Sequence, residues 1–340
     1  MRYIDCFNHF FPGQLWDKMM STSGAVADIG ARMRGVPAIY DLDRRKQVCD
    51  MFRGKYDYTQ VISLGMPPLE ALGTPAEVEE FAKLGNDGMA DYCDRYPDRF
   101  PGFIASLPMN NPDAALAELH RCMRDLNAVG VQLFSNVNGM PIDGPDYYPL
   151  FEAMAAYDKP IFLHPIRTSS MPDFAGDKKS LYEIWWTFGW PYETSAAMAR
   201  LVFSKLFEKL PDIKIVTHHM GGMIPYFEGR VGPGWDQLGT RTADEDYESL
   251  LKSLKKRPID YFRMYYADTA MFGSASGTRC GLDFFGVDKV VFASDAPFDP
   301  EGGTMYIRDT IRVIDELDIS EIDRRKIYNG NACNLLKIKV

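Results

Sequence analysis

The sequence predicts an α/β chain folded as a (β/α)8 TIM-type barrel, and three observations carry that prediction. Short apolar or β-branched runs recur, each followed by a stretch of helical periodicity, the alternation that a parallel sheet with crossover helices produces. Eight such units can be read along the chain, which suits a closed barrel better than an open sheet. Four of the five histidines and one aspartate fall at or just after the ends of these runs, and a barrel gathers the carboxyl ends of its strands at one mouth.

In order, the strand-like runs are Arg2–Cys6, Thr59–Leu64, Phe100–Ser106, Val129–Phe134, Pro160–His164, Ile213–Thr217, Met264–Ala267 and Lys289–Ser294. Helical periodicity follows over Pro75–Tyr96, Pro112–Leu126, Tyr147–Tyr157, Thr194–Leu210 and Arg308–Leu317. Two connections are longer than ordinary loops: Gly13–Arg44 after the first strand, and Arg167–Glu193 after the fifth, which carries Trp185, Trp186 and Trp190. Long βα loops lie over the catalytic face of a barrel, so these are expected to wall or cover a pocket. An oligomer contact is the competing reading of the tryptophans. No repeat, linker or low-complexity tract divides the chain, and residues 1–340 are read as one barrel domain.

The 340 residues are 46% hydrophobic and 25% charged, enough to bury a sizeable core. A formal charge of -9 without a basic run removes the attraction that nucleic-acid binding requires. The start MRYIDCFNHFF lacks the features of a secretory signal, and no window reaches the ~20 apolar residues of a membrane span. A cytoplasmic protein is expected. Cys6, Cys49, Cys93, Cys122, Cys280 and Cys333 include no C-x-x-C pair and read as free thiols, Cys6 as packing rather than catalysis.

His9, His164, His218 and His219 are the strand-end histidines, whereas His120 lies within a helical stretch and reads as structural. Asp295 follows the run KVVFAS and brings a carboxylate to the same mouth, where it serves as a metal ligand or a proton acceptor. Asp268, after the seventh run, reads as a helix cap or loop hydrogen bond.

The segments IDCFNHFFP, KPIFLHP, IKIVTHHMGGMIPYFEGR, YYADTA and VVFASDAPF, in that order over nearly the whole chain, resemble the amidohydrolase superfamily. The resemblance is to its amidohydrolase-2 branch, which includes 2-amino-3-carboxymuconate 6-semialdehyde decarboxylase and gamma-resorcylate decarboxylase. It implies one divalent metal, zinc or manganese, held by His9, His164 and Asp295. A further family ligand two positions before His9 is replaced here by Phe7, which strand alternation points the same way as His9. Three protein ligands plus water still form an adequate site, and some members of this branch act without metal.

The resemblance also assigns acid/base chemistry to His219, with Asp295 as the other candidate to move the proton. Alternation places His218 on the opposite side of the strand, in a supporting role. Arg230 matches an arginine that in family dimers reaches the neighbouring subunit's site and holds a substrate carboxylate, and Arg45 in DLDRRKQVCDMF is a softer match to a second one, with a surface salt bridge as its competing reading. Trp186, with Phe7, Phe10, Phe11, Trp185 and Trp190, is a candidate wall for a planar substrate. The implied activity is non-oxidative decarboxylation of a small aromatic or unsaturated carboxylic acid by a homodimer or higher homo-oligomer. The alternatives are hydrolysis of a lactone or amide, with or without metal, and a non-catalytic binding protein.

Overall fold

The computed structural model describes residues 1–22 and 29–339. Eight parallel strands form one sheet in sequence order: β1 (Tyr3–His9), β2 (Tyr58–Ser63), β3 (Gly102–Ser106), β4 (Gly130–Phe134), β5 (Ile161–His164), β6 (Ile215–Thr217), β7 (Tyr266–Asp268) and β8 (Val290–Val291). Backbone hydrogen bonds from Cys6 N to Phe292 O (2.8 Å), Asp295 N to Phe7 O (3.2 Å) and His9 N to Ala296 O (2.8 Å) join the chain after β8 back to β1 and close the barrel.

Residues of one parity along each strand face the barrel axis. Phe7, Val61, Ile104, Phe162, Val216 and Val291 pack there as an inner core, and the larger core lies between the strands and the surrounding helices. This double burial is why the strands read as nearly continuous apolar runs. His9 and His164 continue the inward parity of Phe7 and Phe162 at the strands' carboxyl ends.

Several boundaries differ from the sequence-based expectation. The run after strand one contains α1 (Gly13–Met20), α2 (Ile29–Met33) and the start of α3 (Leu42–Tyr56); positions 23–28 of that expected loop lie outside the described residues. The helices α4 (Pro75–Arg95), α5 (Pro112–Arg124) and α6 (Tyr148–Tyr157) fall where periodicity put them. In the long segment after β5, the short α7 (Ile184–Thr187) leads into α8 (Gly189–Phe203). The stretch expected to be one helix over Thr194–Leu210 is broken at Lys205, whose φ of 64° starts α9 (Leu206–Lys209). The last strand is shorter than Lys289–Ser294, because Phe292 onward bonds to β1 as an irregular seam. Among the described residues no helix is long and apolar enough to cross a membrane, and all six cysteines are unpaired.

Candidate metal centre and substrate pocket

His9 ends β1, His164 ends β5, His218 follows β6, and Asp295 lies on the seam after β8. One ligand atom from each lies within 4.8 Å of all the others, and all four residues are buried. The tautomers follow from the partners. His9 Nδ1–H donates to the Leu64 carbonyl at 3.0 Å; His164 Nδ1–H donates to the Pro165 carbonyl at 2.7 Å; His218 Nδ1–H donates to Asp268 Oδ2. In its neutral form each imidazole thereby directs its Nε2 lone pair into the cluster. His9 Nε2 faces Asp295 Oδ1 at 2.9 Å and His218 Nε2 faces the same oxygen at 3.4 Å. Acceptors meeting acceptors require positive charge between them, a proton or a metal ion. Imidazoles oriented through Nδ1 by carbonyls and a carboxylate are the donor set that a divalent cation takes, and the residues present fit such an ion.

The electrostatics agree with this arrangement. Burial alone lowers the basicity of His218, but the adjacent Asp268 carboxylate outweighs it and, with Asp295, lifts the pKa to about 9. His164, buried and surrounded by His218, His9 and His219, is held well below the ordinary histidine value. Burial would raise Asp295, yet the imidazoles of His218, His219 and His9 gathered around it hold its carboxyl well below the usual range.

His219 approaches the cluster from the other side, its Nε2 3.6 Å from Asp295 Oδ2 and without a hydrogen-bond partner among the described residues. Burial first, then the positive neighbour His218, lower its pKa, so the neutral imidazole dominates at neutral pH. Its backbone turns sharply: φ is positive from His219 through Gly222, at 51°, 53°, 80° and 61°. Such a run needs glycine where space is tight, and a Cβ at Gly222 would sit 2.5 Å from the Pro191 carbonyl oxygen. Asp268 Oδ1 accepts from the His219 amide (3.0 Å) and the Ala270 amide (3.1 Å), pinning the start of the turn.

Phe7 forms the apolar floor, its ring 4.4 Å from that of His218 and 5.1 Å from that of His9. Above the cluster opens a cavity of about 350 Å³ lined by His164, Asp295, Trp185, Trp186, Trp190, Phe272, Phe298 and Tyr306, with Arg32 and Glu183 among its charged residues. The Trp186 indole donates to Glu183 Oε2 (3.1 Å) and the Trp190 indole to the Arg167 carbonyl (3.1 Å), which sets the orientation of two walls. The long segment after β5 thus forms part of the pocket wall.

Three expectations change. His218 does not face away from His9: its backbone is still extended (φ -76°, ψ 157°) and it shares the parity of inward-facing Val216, while the turn that begins at His219 (φ 51°) brings the second imidazole to the same site. Arg45 is neither a pocket residue nor a surface ion pair. It is fully buried and bonds Asn8 Oδ1, with Phe10 and Asp5 nearby. Phe10 and Phe11 belong to the core between sheet and helices, not to the pocket wall. Arg230 is exposed and lines a separate groove with Phe227 and Trp235, away from the metal cluster of its own chain. Sequence reasoning missed Arg32, on the short α2, and undervalued Asp268. The spacing from His218 to Asp268 carries no local signal, but Asp268 ends β7 as His164 ends β5, and that shared strand-end position is the signal available.

A profile of the amidohydrolase family matches residues 4–338. The gamma-resorcylate decarboxylase of Polaromonas sp. (strain JS666) is 32% identical over 300 residues, covering 82% of this chain and 83% of that protein. The 2-amino-3-carboxymuconate-6-semialdehyde decarboxylase of Dictyostelium discoideum is 28% identical over 262 residues, 77% of this chain and 68% of that one. The crystal structure of a dihydroxybenzoic acid decarboxylase from Polaromonas sp. JS666, with manganese and 2-nitroresorcinol bound, superposes with a TM-score of 0.78 at 28% identity, over 98% of this chain and 96% of that chain. With the barrel, the strand-end ligand cluster and a family match from end to end, this chain belongs to the amidohydrolase family, in its amidohydrolase-2 branch.

Proposed function

We propose that this protein is a metal-dependent, non-oxidative decarboxylase of a small aromatic or unsaturated carboxylic acid. The observation that carries the reading is the convergence of three Nε2 lone pairs and the Asp295 carboxylate at the base of an aromatic-lined pocket. The relatives named above, decarboxylases of such acids, support it. A divalent ion held by His9, His164, His218 and Asp295, zinc or manganese, supplies a fixed positive charge for the substrate's carboxylate and adjacent oxygen.

The remaining work falls to the chain. Trp185, Trp186, Trp190 and Phe298 present faces and edges to a planar ring. Arg32 offers a guanidinium to an anionic group of the substrate. It takes the substrate-binding place first assigned to Arg45. His219, neutral and with a free Nε2 beside Asp295, takes up a proton and delivers it to the carbon that bears the carboxylate. The bond from that carbon to the carboxylate then breaks, its electron pair returns to the substrate, and carbon dioxide leaves. Phe7 and Trp185, both buried, keep water from competing for the proton.

Arg230 meets a neighbour's substrate in this reading, in a homodimer or higher homo-oligomer, and its exposure beside Phe227 and Trp235, away from its own chain's cluster, supports that. Residues 1–340 act as one barrel domain in this reading, and six unpaired cysteines accord with a reducing, cytoplasmic setting. The test is carbon dioxide release from a panel of hydroxybenzoates and unsaturated acids, with metal content measured on the same preparation by plasma mass spectrometry. Carbon dioxide with near-stoichiometric metal is the expected result. No gas from any of these acids, together with cleavage of a lactone or amide bond by water in a parallel panel, would instead select the hydrolase alternative.

A further inference from the structure

The barrel mouth holds a second set of buried polar groups, on the side of β2, β3 and β4. Glu70, from the short 3-10 turn Leu69–Ala71, Ser106 at the end of β3 and Gln132 within β4 are 4%, 5% and 3% exposed. Glu70 Oε1, Ser106 Oγ and both amide atoms of Gln132 have no hydrogen-bond partner among the described residues. All three side chains line one small cavity, which offers about 10 Å³ for the centre of a water molecule. By that measure roughly 10–15 Å³ holds a single water, and a buried water makes about three hydrogen bonds.

The lining decides the ligand. Glu70 Oε1 and Gln132 Oε1 accept, Gln132 Nε2 donates, and the Ser106 hydroxyl does either. A molecule that both donates and accepts matches this mixture, whereas a cation would leave the amide nitrogen unpaired. Leu64 and Gly65 line the same cavity. On their other side the Leu64 carbonyl receives the His9 Nδ1 proton at 3.0 Å, and Gly65 packs so closely that a Cβ there would lie 3.1 Å from His9 Cβ. We propose that Glu70, Ser106 and Gln132 form a site for one structural water, and that this water, by holding the Leu64–Gly65 backbone, positions His9. The second half rests on the metal-centre reading above; the first does not.

The experiment is a crystal structure of the full chain at a resolution that shows ordered water, paired with metal titration of Gln132→Leu and Glu70→Gln. The expected result is one density peak within hydrogen-bond distance of all three side chains. Gln132→Leu, which fills the cavity and removes two partners, is expected to weaken metal binding by about 10-fold, in the range for groups that orient a ligand, and to shift the His9 Nδ1–H proton resonance. Glu70→Gln, which keeps an acceptor and a similar shape, is expected to retain the water and wild-type metal affinity. Side chains bonded directly to one another with no density between them would overturn the water site. So would a peak with the short all-oxygen coordination of a cation. Unchanged metal affinity and an unshifted His9 resonance in a folded Gln132→Leu protein would overturn the positioning role while leaving the decarboxylase reading intact.

Discussion

The two halves of the barrel mouth solve the burial of polar groups differently. On the β1, β5, β6 and β8 side every Nδ1 of the three cluster imidazoles has an acceptor from the protein, so three lone pairs converge with Asp295. On the β2, β3 and β4 side, four polar atoms of Glu70, Ser106 and Gln132 have no partner among the described residues. Unpaired polar atoms are costly when buried. A group satisfied by a rigid partner fixes a direction, as a metal site demands. A group left open to a small mobile ligand fixes only a volume. The first half is therefore built for chemistry and the second for support.

The sharpest way to break this contrast is His164→Ala, which removes a converging ligand. Metal content is expected to fall below stoichiometry and carbon dioxide release to drop by at least about 10³-fold, while far-UV circular dichroism keeps the barrel's secondary structure. On the supporting side, burial raises the Glu70 pKa from 4.5 to about 7. The folded state therefore holds a proton that the unfolded chain has lost, and stability present below pH 4.5 declines as pH rises toward 7. Over that window the loss is of order 3 kcal/mol at most. Glu70→Gln is expected to flatten that part of the profile, measured by denaturant unfolding between pH 4.5 and 7.5; an unchanged slope would show that Glu70 does not carry it.

Smaller effects test how the first half is held. Asp268→Asn leaves the shape but weakens the acceptor for His218, and a loss of about 10- to 100-fold in metal affinity is expected by titration. Arg32→Met should raise KM for carboxylate substrates by about 10-fold, near 1.4 kcal/mol, with a smaller change in kcat. A fall in kcat alone would move Arg32 from binding to chemistry.

Much of this was legible in the sequence because it depends on period and order. Eight apolar runs with helical stretches between them specify the barrel, and His9, His164 and Asp295 each close a run, so the topology brings them together without further information. His218 was misplaced because alternation was counted against His219, which has already left the extended backbone for a turn of positive φ, whereas His218 keeps the parity of inward-facing Val216. Arg45 was misjudged because a charged residue on a helix normally faces solvent, whereas here Asn8 draws it behind β1. Arg32 and Glu70 lie on helices of only five and three residues, too short for periodicity to mark which way a side chain points. The seam after β8 was read as strand because its composition is that of one, and only the bonding to β1 shows its irregular course.

His9 and Asp295 stand 286 positions apart yet meet across that seam. During synthesis the first ligand leaves the ribosome long before the last, and no partial product contains the complete set. Metal loading is consequently a late event in the life of each molecule. The fraction of chains that carry the ion in a fresh preparation is then a lower bound on those whose two ends have come together.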